Sequence, residues 1–301
     1  MHFQELHKTP NFNSDKLIII ESHLVPAIHE KIRLQEYAVG IFTMLPTKSG
    51  LKKAIKKKEI LLNGKVAQTS DWIEEHSKID LIQYEEKQRK VFQLKIEVIF
   101  EDDYLAVINK PAGYPTSGNY FKTIEHAIPY NLTASPLLDA LTYPIPVHRL
   151  DNPTSGLLII AKTKSAQLKL HQDFEYKTIE KIYLALVIGE TNLEQTIETA
   201  IEDKDAFTSF KRIDLINKNG SHFSLLEVSP KTGRTHQIRI HLASIGYPIV
   251  GDKLYGQEDT SVLTKGLYLS AIGLSFTHPI TSELLQFKIT PPSKFRKAQR
   301  D

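Results

Sequence analysis

One loop segment carries the residues best suited to chemistry. It spans Val147–Gly156, reads VHRLDNPTSG, and sets Asp151 between a proline-rich approach and an apolar run that begins at Leu157. Rigid scaffolds often present reactive side chains on loops that lead into buried strands. An ionised carboxylate in such a loop can act as a nucleophile or as a general base. An aspartate that only caps the turn before Pro153 is the alternative, and the string HRLD alone does not decide between the two.

Four sequence blocks resemble the motifs of a known family and occur in the same order as in that family. The string around Asp151, with TSG at its fixed offset, resembles the signature of the RluA-type RNA pseudouridine synthases. The other blocks are Leu105–Gly113 (LAVINKPAG), Lys181–Gly189 (KIYLALVIG) and Thr232–Arg239 (TGRTHQIR), which is followed by Gly251–Gly256 (GDKLYG). The resemblance covers about residues 96–292, and four ordered blocks make chance a poor explanation. It implies an enzyme that isomerises uridine to pseudouridine in RNA.

The resemblance also implies roles for three side chains. Asp151 corresponds to the catalytic aspartate, and the sequence leaves open whether it attacks the sugar, attacks the pyrimidine or removes a sugar proton. Tyr183 corresponds to the active-site tyrosine that packs on the target base, although a core tyrosine is the usual reading of such a strand residue. Arg149 corresponds to the arginine that occupies the position left by a flipped uridine.

Arg239 is the expected partner of Asp151. A guanidinium paired through both nitrogens keeps a buried carboxylate ionised and oriented. Apolar residues at helical spacing predict a helix over Thr235–Ile245, which would hold Arg239 on a rigid element. An ordinary surface arginine is the alternative.

The elements that must position these side chains form a predicted α+β domain over residues 92–301. Irregular separators between the strands favour a mixed, largely antiparallel sheet over a doubly wound one. The predicted strands are Ile96–Phe100, Leu105–Asn109, Leu157–Lys162, Lys181–Ile188, Phe223–Val228 and Leu267–Leu269.

A smaller α/β unit is predicted over residues 31–84, after an extension of residues 1–30 that contains one strand and before a polar linker of residues 85–91. It contains a helix from Ile32, a helix from about Ser49, an Asn63-Gly64 hairpin and a strand at Ile79–Ile82. The unit resembles the S-four-like RNA-binding module, named after a small-subunit ribosomal protein. The resemblance assigns RNA phosphate contacts to lysines of the helix and hairpin, whereas a solvated lysine face is the alternative. These lysines are Lys52, Lys53, Lys56, Lys57 and Lys65.

The composition of the chain limits the classes of protein and the kinds of site that it can contain. With 41% hydrophobic residues, 24% charged residues and a net charge of +3, the chain has the make-up of a globular protein that is permissive for nucleic acid. The absence of cysteine excludes disulfides and thiolate metal sites. His236 and His241 are five residues apart, a spacing that does not point two ligands the same way on a helix, so no metal site is expected. No cofactor is expected either, because no glycine-rich phosphate loop or dinucleotide motif is present and the isomerisation needs no net redox change. Because no apolar run approaches the roughly 20 residues that a membrane span needs, we expect a cytoplasmic protein.

Large-subunit ribosomal RNA is the expected substrate, with transfer RNA as the close alternative and no obligate protein partner. A non-catalytic RNA-binding or ribosome-assembly protein is the main rival from another class. A glycoside hydrolase would normally need a pair of catalytic carboxylates, and a metal-dependent nuclease would need clustered acidic residues. Two positions depart from the family pattern. The chain reads Tyr114-Pro-Thr-Ser-Gly-Asn119 where many relatives have a histidine, and Ser270 stands where a histidine is common.

Overall fold

The computed structural model of the protein describes residues 17–84, 90–218, 220–256 and 266–300. The chain divides into two compact units, one within residues 1–89 and the other within residues 90–301. Residues 85–89 of the predicted linker lie outside the described residues, and the predicted domain boundaries stay a prediction. None of the described helices is long and apolar enough to span a membrane.

The amino-terminal unit combines a four-stranded sheet, a two-stranded sheet and two helices. Its elements are β1 (Leu17–Leu24), β2 (Ile32–Arg33), α1 (Leu34–Tyr37), α2 (Lys48–Lys56), β3 (Ile60–Leu62), β4 (Lys65–Val66), β5 (Trp72–Ile73) and β6 (Lys78–Tyr84). The larger sheet has the order β1-β6-β3-β4, and β2 pairs with β5. Strand β1 lies in the segment predicted as an extension with one strand, and it pairs with β6 along its length.

Helix α2 is amphipathic, as the sequence predicts. Leu51, Ala54 and Ile55 are buried in the core of the unit, while the lysines between them face solvent. The helix begins at Lys48 because the Thr47 side chain accepts a hydrogen bond from the backbone N–H of Gly50 at 3.1 Å, so the predicted start near Ser49 is slightly late. The helix predicted from Ile32 is wrong at its start, since β2 pairs with β5 there and α1 is a single turn.

The carboxy-terminal unit is built on one large sheet. Its elements are β7 (Glu97–Glu101), β8 (Leu105–Lys110), α3 (Ile124–Asn131), β9 (Ala140–Pro146), β10 (Ser155–Thr163), α4 (Lys164–Glu175), β11 (Glu180–Ile188), β12 (Glu194–Ile197), β13 (Thr208–Lys218), β14 (Ser221–Pro230), α5 (Gln237–Ser244), β15 (Leu269–Thr277), β16 (Leu284–Lys288) and α6 (Ser293–Arg300). The sheet order is β12-β13-β14-β11-β15-β10-β8-β7, with β16 on β15 and β9 on β10. Within the described residues, β10 and β15 are the only strands that pair in parallel. The predicted α+β class with a mixed, largely antiparallel sheet is confirmed.

The strand predicted at Leu267–Leu269 is wrong in its extent. Strand β15 begins at Leu269 and continues to Thr277. Its later residues include Ser270, Gly273 and Ser275, which interrupt the apolar pattern although Ser270 is fully buried. Burial by neighbouring strands, which no local pattern records, makes this segment a strand.

Strand β10 is the structural centre of the unit, because all nine of its residues are buried. Leu158 and Ile160 belong to one apolar cluster, whereas Leu157 and Ile159 belong to a second on the other face. Burying each such side chain is worth about 1.5–3 kcal/mol. The loop that carries Asp151 therefore ends on the most firmly held strand of the sheet.

Candidate active site

Asp151 lies in the loop that enters β10, and the start of that strand is fixed against β15. The Ser155 hydroxyl donates to the Ser270 hydroxyl at 3.0 Å, both groups being buried. Gly156 has φ +119°, and a Cβ there would overlap the backbone of Ala271. Only glycine allows the two strands to approach so closely. Ser270, one of the departures from the family pattern, thus completes a buried contact at the base of the Asp151 loop.

Lys110 and Thr116 hold the backbone of this loop from the side. The Lys110 ammonium is fully buried and donates to the carbonyl oxygens of Asp151 at 3.2 Å and Thr154 at 2.8 Å. Burial lowers the pKa of Lys110 to about 8, and the negative charge of Asp151 opposes that shift. The Thr116 hydroxyl donates to the carbonyl of Leu150 at 2.9 Å and accepts from its N–H at 3.1 Å. The carboxylate therefore has a fixed backbone beneath it.

His148, three residues before Asp151, has a structural role. Its Nε2 accepts a hydrogen bond from the N–H of Ile159 at 3.0 Å, and its ring lies against Phe174 with centroids 4.8 Å apart. Burial, with the nearby positive charge of Lys181, lowers the pKa of His148 to about 3. The imidazole is therefore neutral and anchors the loop to β10.

Arg239 lies on α5 and contacts two carboxylates. Its Nη1 donates to Asp151 Oδ2 at 3.3 Å. Its Nε and Nη2 each donate to an oxygen of Asp252 at 2.7 Å. The predicted bidentate pair between Arg239 and Asp151 is thus wrong in its geometry. The bidentate pair is formed with Asp252 instead, through Nε and Nη2. The Arg239 guanidinium does lie beside Asp151, as the sequence predicts. The sequence did not indicate which residue orients this guanidinium.

Asp252 was missed in the assignment of roles, although it lies in the GDKLYG block. Its Oδ1 also accepts from the N–H groups of Leu254 at 2.9 Å and Tyr255 at 3.2 Å. Burial acts to raise the pKa of the Asp252 carboxyl, but the hydrogen bonds from Arg239 and these two N–H groups leave it below its usual value. Asp252 is therefore an ionised anchor for Arg239.

His236 is a second missed neighbour of Asp151. Its Nε2 lies 3.9 Å from Asp151 Oδ1, and its Nδ1 is 3.0 Å from the Tyr255 hydroxyl. The residue has φ +55° at the N-cap of α5, an uncommon conformation for histidine. His241 instead contacts Thr208 Oγ1 at 2.9 Å and the carbonyl of Thr199 at 2.8 Å. The two imidazoles thus have separate partners, and no group of three potential ligands for a metal occurs within the described residues.

Tyr183 lies on β11 and lines a small cavity together with Asp151, Thr154 and Arg239. The volume of this Tyr183 cavity is about 110 Å³. Burial raises the pKa of the Tyr183 hydroxyl, and the charge of Asp151 raises it further. The phenol therefore stays protonated across the neutral range, and it can serve as a flat packing surface or a hydrogen-bond donor.

A larger open cleft adjoins the Tyr183 cavity. This Asp151 cleft has a volume of about 690 Å³, within the range of ligand sites. Arg149 is exposed and lines both spaces. Basic groups at the cleft wall include Lys253 and Lys294. The structure thus brings Arg149, Asp151, Tyr183 and Arg239 together, beside an open cleft with basic groups at its wall.

The five predicted RNA-binding lysines lie in the amino-terminal unit and are exposed. Four are on α2 or at its end, and Lys65 opens β4. Lys57 has a weak contact with Glu59 at 3.8 Å. Residues 31–84 hold ten Lys or Arg against six Asp or Glu, a net charge of +4, while the whole chain carries +3. The excess positive charge of the chain is therefore concentrated here.

Comparison with known proteins finds relatives of this chain in one family. Residues 104–244 match the family model described as RNA pseudouridylate synthase. An uncharacterized RNA pseudouridine synthase of Aquifex aeolicus is 32% identical, with 83% of this chain and 87% of that protein covered. Ribosomal large subunit pseudouridine synthase C of Haemophilus influenzae is 33% identical, with 85% and 86% covered. The solved structure of human RNA pseudouridylate synthase domain containing 1 is similar in fold, with a TM-score of 0.55, 24% identity and 66% of this chain and 84% of that chain covered.

The fold and its relatives define an RNA-modifying isomerase. The chain belongs to the RNA pseudouridine synthases, and within them to the RluA type. The prediction drawn from the four sequence blocks is thereby confirmed, and the rival classes of glycoside hydrolase and nuclease are set aside.

Proposed function

We propose that this enzyme converts specific uridines of large-subunit ribosomal RNA to pseudouridine, with Asp151 as its catalytic carboxylate. The observation that carries the proposal is the shared cavity of Asp151 and Tyr183, with Arg239 Nη1 3.3 Å from Asp151 Oδ2. The choice of RNA rests on relatives named ribosomal large subunit pseudouridine synthases, which are 33–35% identical over two thirds or more of this chain.

The chemistry needs an ionised carboxylate. The N1–C1′ bond of uridine breaks, the uracil turns, and C5 then bonds to C1′ while its hydrogen leaves. Asp151 serves either as the nucleophile or as the base that removes a sugar proton, and both routes require the charged form. The guanidinium of Arg239 favours that form. Tyr183 packs on the uracil within the small cavity and relays the proton that leaves C5.

Arg149 contributes before the chemical step. A stacked uridine cannot enter a cavity beside Asp151 unless it leaves the helix, at a cost of a few kcal/mol. The exposed guanidinium of Arg149 borders both the Asp151 cleft and the Tyr183 cavity, so it can fill the vacated position as the base turns inward.

The amino-terminal unit serves as an S-four-like RNA-binding module. Its net charge of +4 and the exposed lysines of α2 suit contacts to phosphates, each of which releases counterions and strengthens binding at low salt. Lys52 and Lys56 repel each other at i,i+4 spacing, as do Lys53 and Lys57, and bound phosphates relieve that repulsion.

Release of tritium from C5 of uridine tests the proposal, because pseudouridine formation must expel that hydrogen. Large-subunit ribosomal and transfer RNA transcripts carrying the label are incubated with the native protein, with Asp151→Asn and with Asp103→Asn as an exposed acidic control. We expect release from the ribosomal transcript, loss of release in Asp151→Asn with RNA binding retained, and native release in Asp103→Asn. Release of tritium from transfer RNA alone would overturn the proposal that large-subunit ribosomal RNA is the substrate. Binding without release from either class, including a full ribosomal precursor, would favour a non-catalytic RNA-binding protein.

A further inference from the structure

The two-stranded sheet of the amino-terminal unit presents an aromatic and a basic side chain side by side. Arg33 on β2 is paired directly with Trp72 on β5. The neighbouring pair, Ile32 and Ile73, includes a fully buried Ile73, so alternation turns Arg33 and Trp72 to the other face. The Arg33 guanidinium lies 4.0 Å from the centroid of the indole. Trp72 is nevertheless 49% exposed, so much of its surface remains open to solvent.

This arrangement is held in place by its neighbours. The Arg33 guanidinium also donates to the carbonyl oxygen of Ser70, which fixes it above the ring. Lys31, just before β2, and Glu74, just after β5, form an ion pair of 2.8 Å, which offsets the negative charge of Glu74. The platform is thus preorganised, and the groups around it suit a base better than a phosphate.

The core of the unit joins this face to the basic helix. Ile73 and Leu34 belong to the same apolar cluster as Leu51 and Ile55 of α2. Leaving an indole half exposed forgoes burial of a large apolar surface, a cost that binding of a flat ligand recovers. Bases of unpaired RNA stack on aromatic rings and guanidinium planes regardless of their sequence.

We propose that Trp72 and Arg33 form a stacking platform for an unpaired base of the RNA substrate. The inference deepens the proposed RNA-binding role of the amino-terminal unit. The lysines of α2 attract the phosphate backbone of the RNA. The platform requires that the bound RNA segment contain an unpaired base. Stacking releases few counterions, whereas lysine–phosphate contacts release many.

Fluorescence gives a direct test because Trp72 is the only tryptophan of the chain. Titration of the full-length protein with an oligouridine of about 12 nucleotides, near the span of single-stranded sites, is expected to quench the emission to saturation. A duplex of the same length is expected to quench far less at equal occupancy, as measured by filter binding. Absence of quenching while filter binding reports saturation would overturn the proposal.

Variants separate stacking from charge. We expect Trp72→Ala and Trp72→Leu to weaken oligouridine binding roughly 5- to 100-fold, and Trp72→Phe to weaken it less. The slope of log affinity against log salt should hardly change in these variants, whereas Lys53→Ala should reduce that slope by about one. Met44→Ala removes another exposed apolar side chain of the unit and is the matched control. Circular dichroism confirms folding, and the leucine variant keeps the apolar bulk.

The results of the fluorescence and affinity measurements can be told apart from those of the tritium assay. Affinity within two-fold of native for both Trp72→Ala and Trp72→Leu would overturn the platform even if pseudouridine is formed. Conversely, quenching by single-stranded RNA in a protein that releases no tritium would keep the platform and remove the proposed activity. Asp151→Asn should quench like the native protein.

Discussion

Arg239 gives two of its nitrogens to Asp252 at 2.7 Å and a single nitrogen to Asp151 at 3.3 Å. The closer pair orients the guanidinium, so Asp252 should govern how Asp151 is presented. We expect Asp252→Asn to lower turnover about 10- to 100-fold while RNA affinity stays near native, because a small displacement of a catalytic group is costly. Tritium release under saturating RNA measures the effect.

The same substitution leaves the buried guanidinium of Arg239 without the closer of its two carboxylate partners. Breaking such a pair costs roughly 3–5 kcal/mol, so the Tm of Asp252→Asn should also fall. Asp103→Asn, an exposed acid of the same unit, should change neither quantity. Native turnover in a folded Asp252→Asn protein would show that Asp151 needs no aligned arginine.

Arg149→Ala should impair structured RNA more than unpaired RNA. A uridine in a helix must be unstacked, at a cost of a few kcal/mol, whereas a uridine in a flexible strand has little stacking energy to give up. We expect at least about a ten-fold larger loss in tritium release from a folded transcript than from a short single strand, with Arg296→Ala as an exposed arginine control. Equal losses on both substrates would contradict a flipping role.

Gly156→Ala should destabilise the carboxy-terminal unit. A methyl group there overlaps the backbone of Ala271, and φ +119° is strained for alanine. We expect a loss of about 2–4 kcal/mol in the free energy of unfolding, seen as a lower Tm. Gly233→Ala is the control, since a Cβ at that position meets nothing within 4 Å. Equal melting temperatures for the two variants would mean that β10 and β15 can separate freely.

Thermal stability should rise between about pH 8 and pH 9.5. Lys110, Lys181 and Lys294 each have a pKa of about 8 in the folded protein because burial disfavours their charge, against 10.5 for an ordinary lysine. In this window the unfolded chain binds protons that the folded protein has released, so the free energy of unfolding increases with pH. The gain is complete above the unfolded pKa and is lost as the pH falls through about 8.

Lys181→Met should reduce this slope, by at most about 1.4 kcal/mol per pH unit. Lys122→Met, at an exposed position, should leave it unchanged. The measurement stops below pH 10 because the raised pKa of Tyr183 acts in the opposite direction above that point. A flat profile of Tm in the native protein would show that these three lysines are hydrated.

The side chains proposed for catalysis could be singled out from the sequence because their signals are local. Asp151 stands in a compact string, and Tyr183 stands in a strand whose apolar alternation is clear. Their supports were not predictable in the same way. Lys110 bonds carbonyl groups 41 to 44 residues further along the chain, and Asp252 reaches Arg239 from a loop without regular structure. A buried lysine and a paired carboxylate read as surface residues until the tertiary contacts exist.

The same limit applies to the fold. The class and most strands of the large sheet followed from alternation, because their apolar residues record burial. Strand β15 did not, since Ser270 and Gly273 interrupt its apolar pattern and are buried only because β10 and β11, strands far away in sequence, lie beside it. The short strand β2 has only two residues, too few to show any period, and the sequence therefore predicted a helix at Ile32.

The parallel contact between Ser155 and Ser270 joins residues 115 positions apart. On a translating ribosome, the segment with Asp151 emerges roughly 6 to 23 seconds before its β15 partner, at ordinary rates of synthesis. Contacts of such separation also form late in folding. A nascent chain can therefore present its finished amino-terminal unit before β15 is available to pair with the start of β10, where the Asp151 loop ends. A product terminated before β15 should occupy RNA without modifying it, so the order of synthesis makes incomplete copies competitors of the complete enzyme.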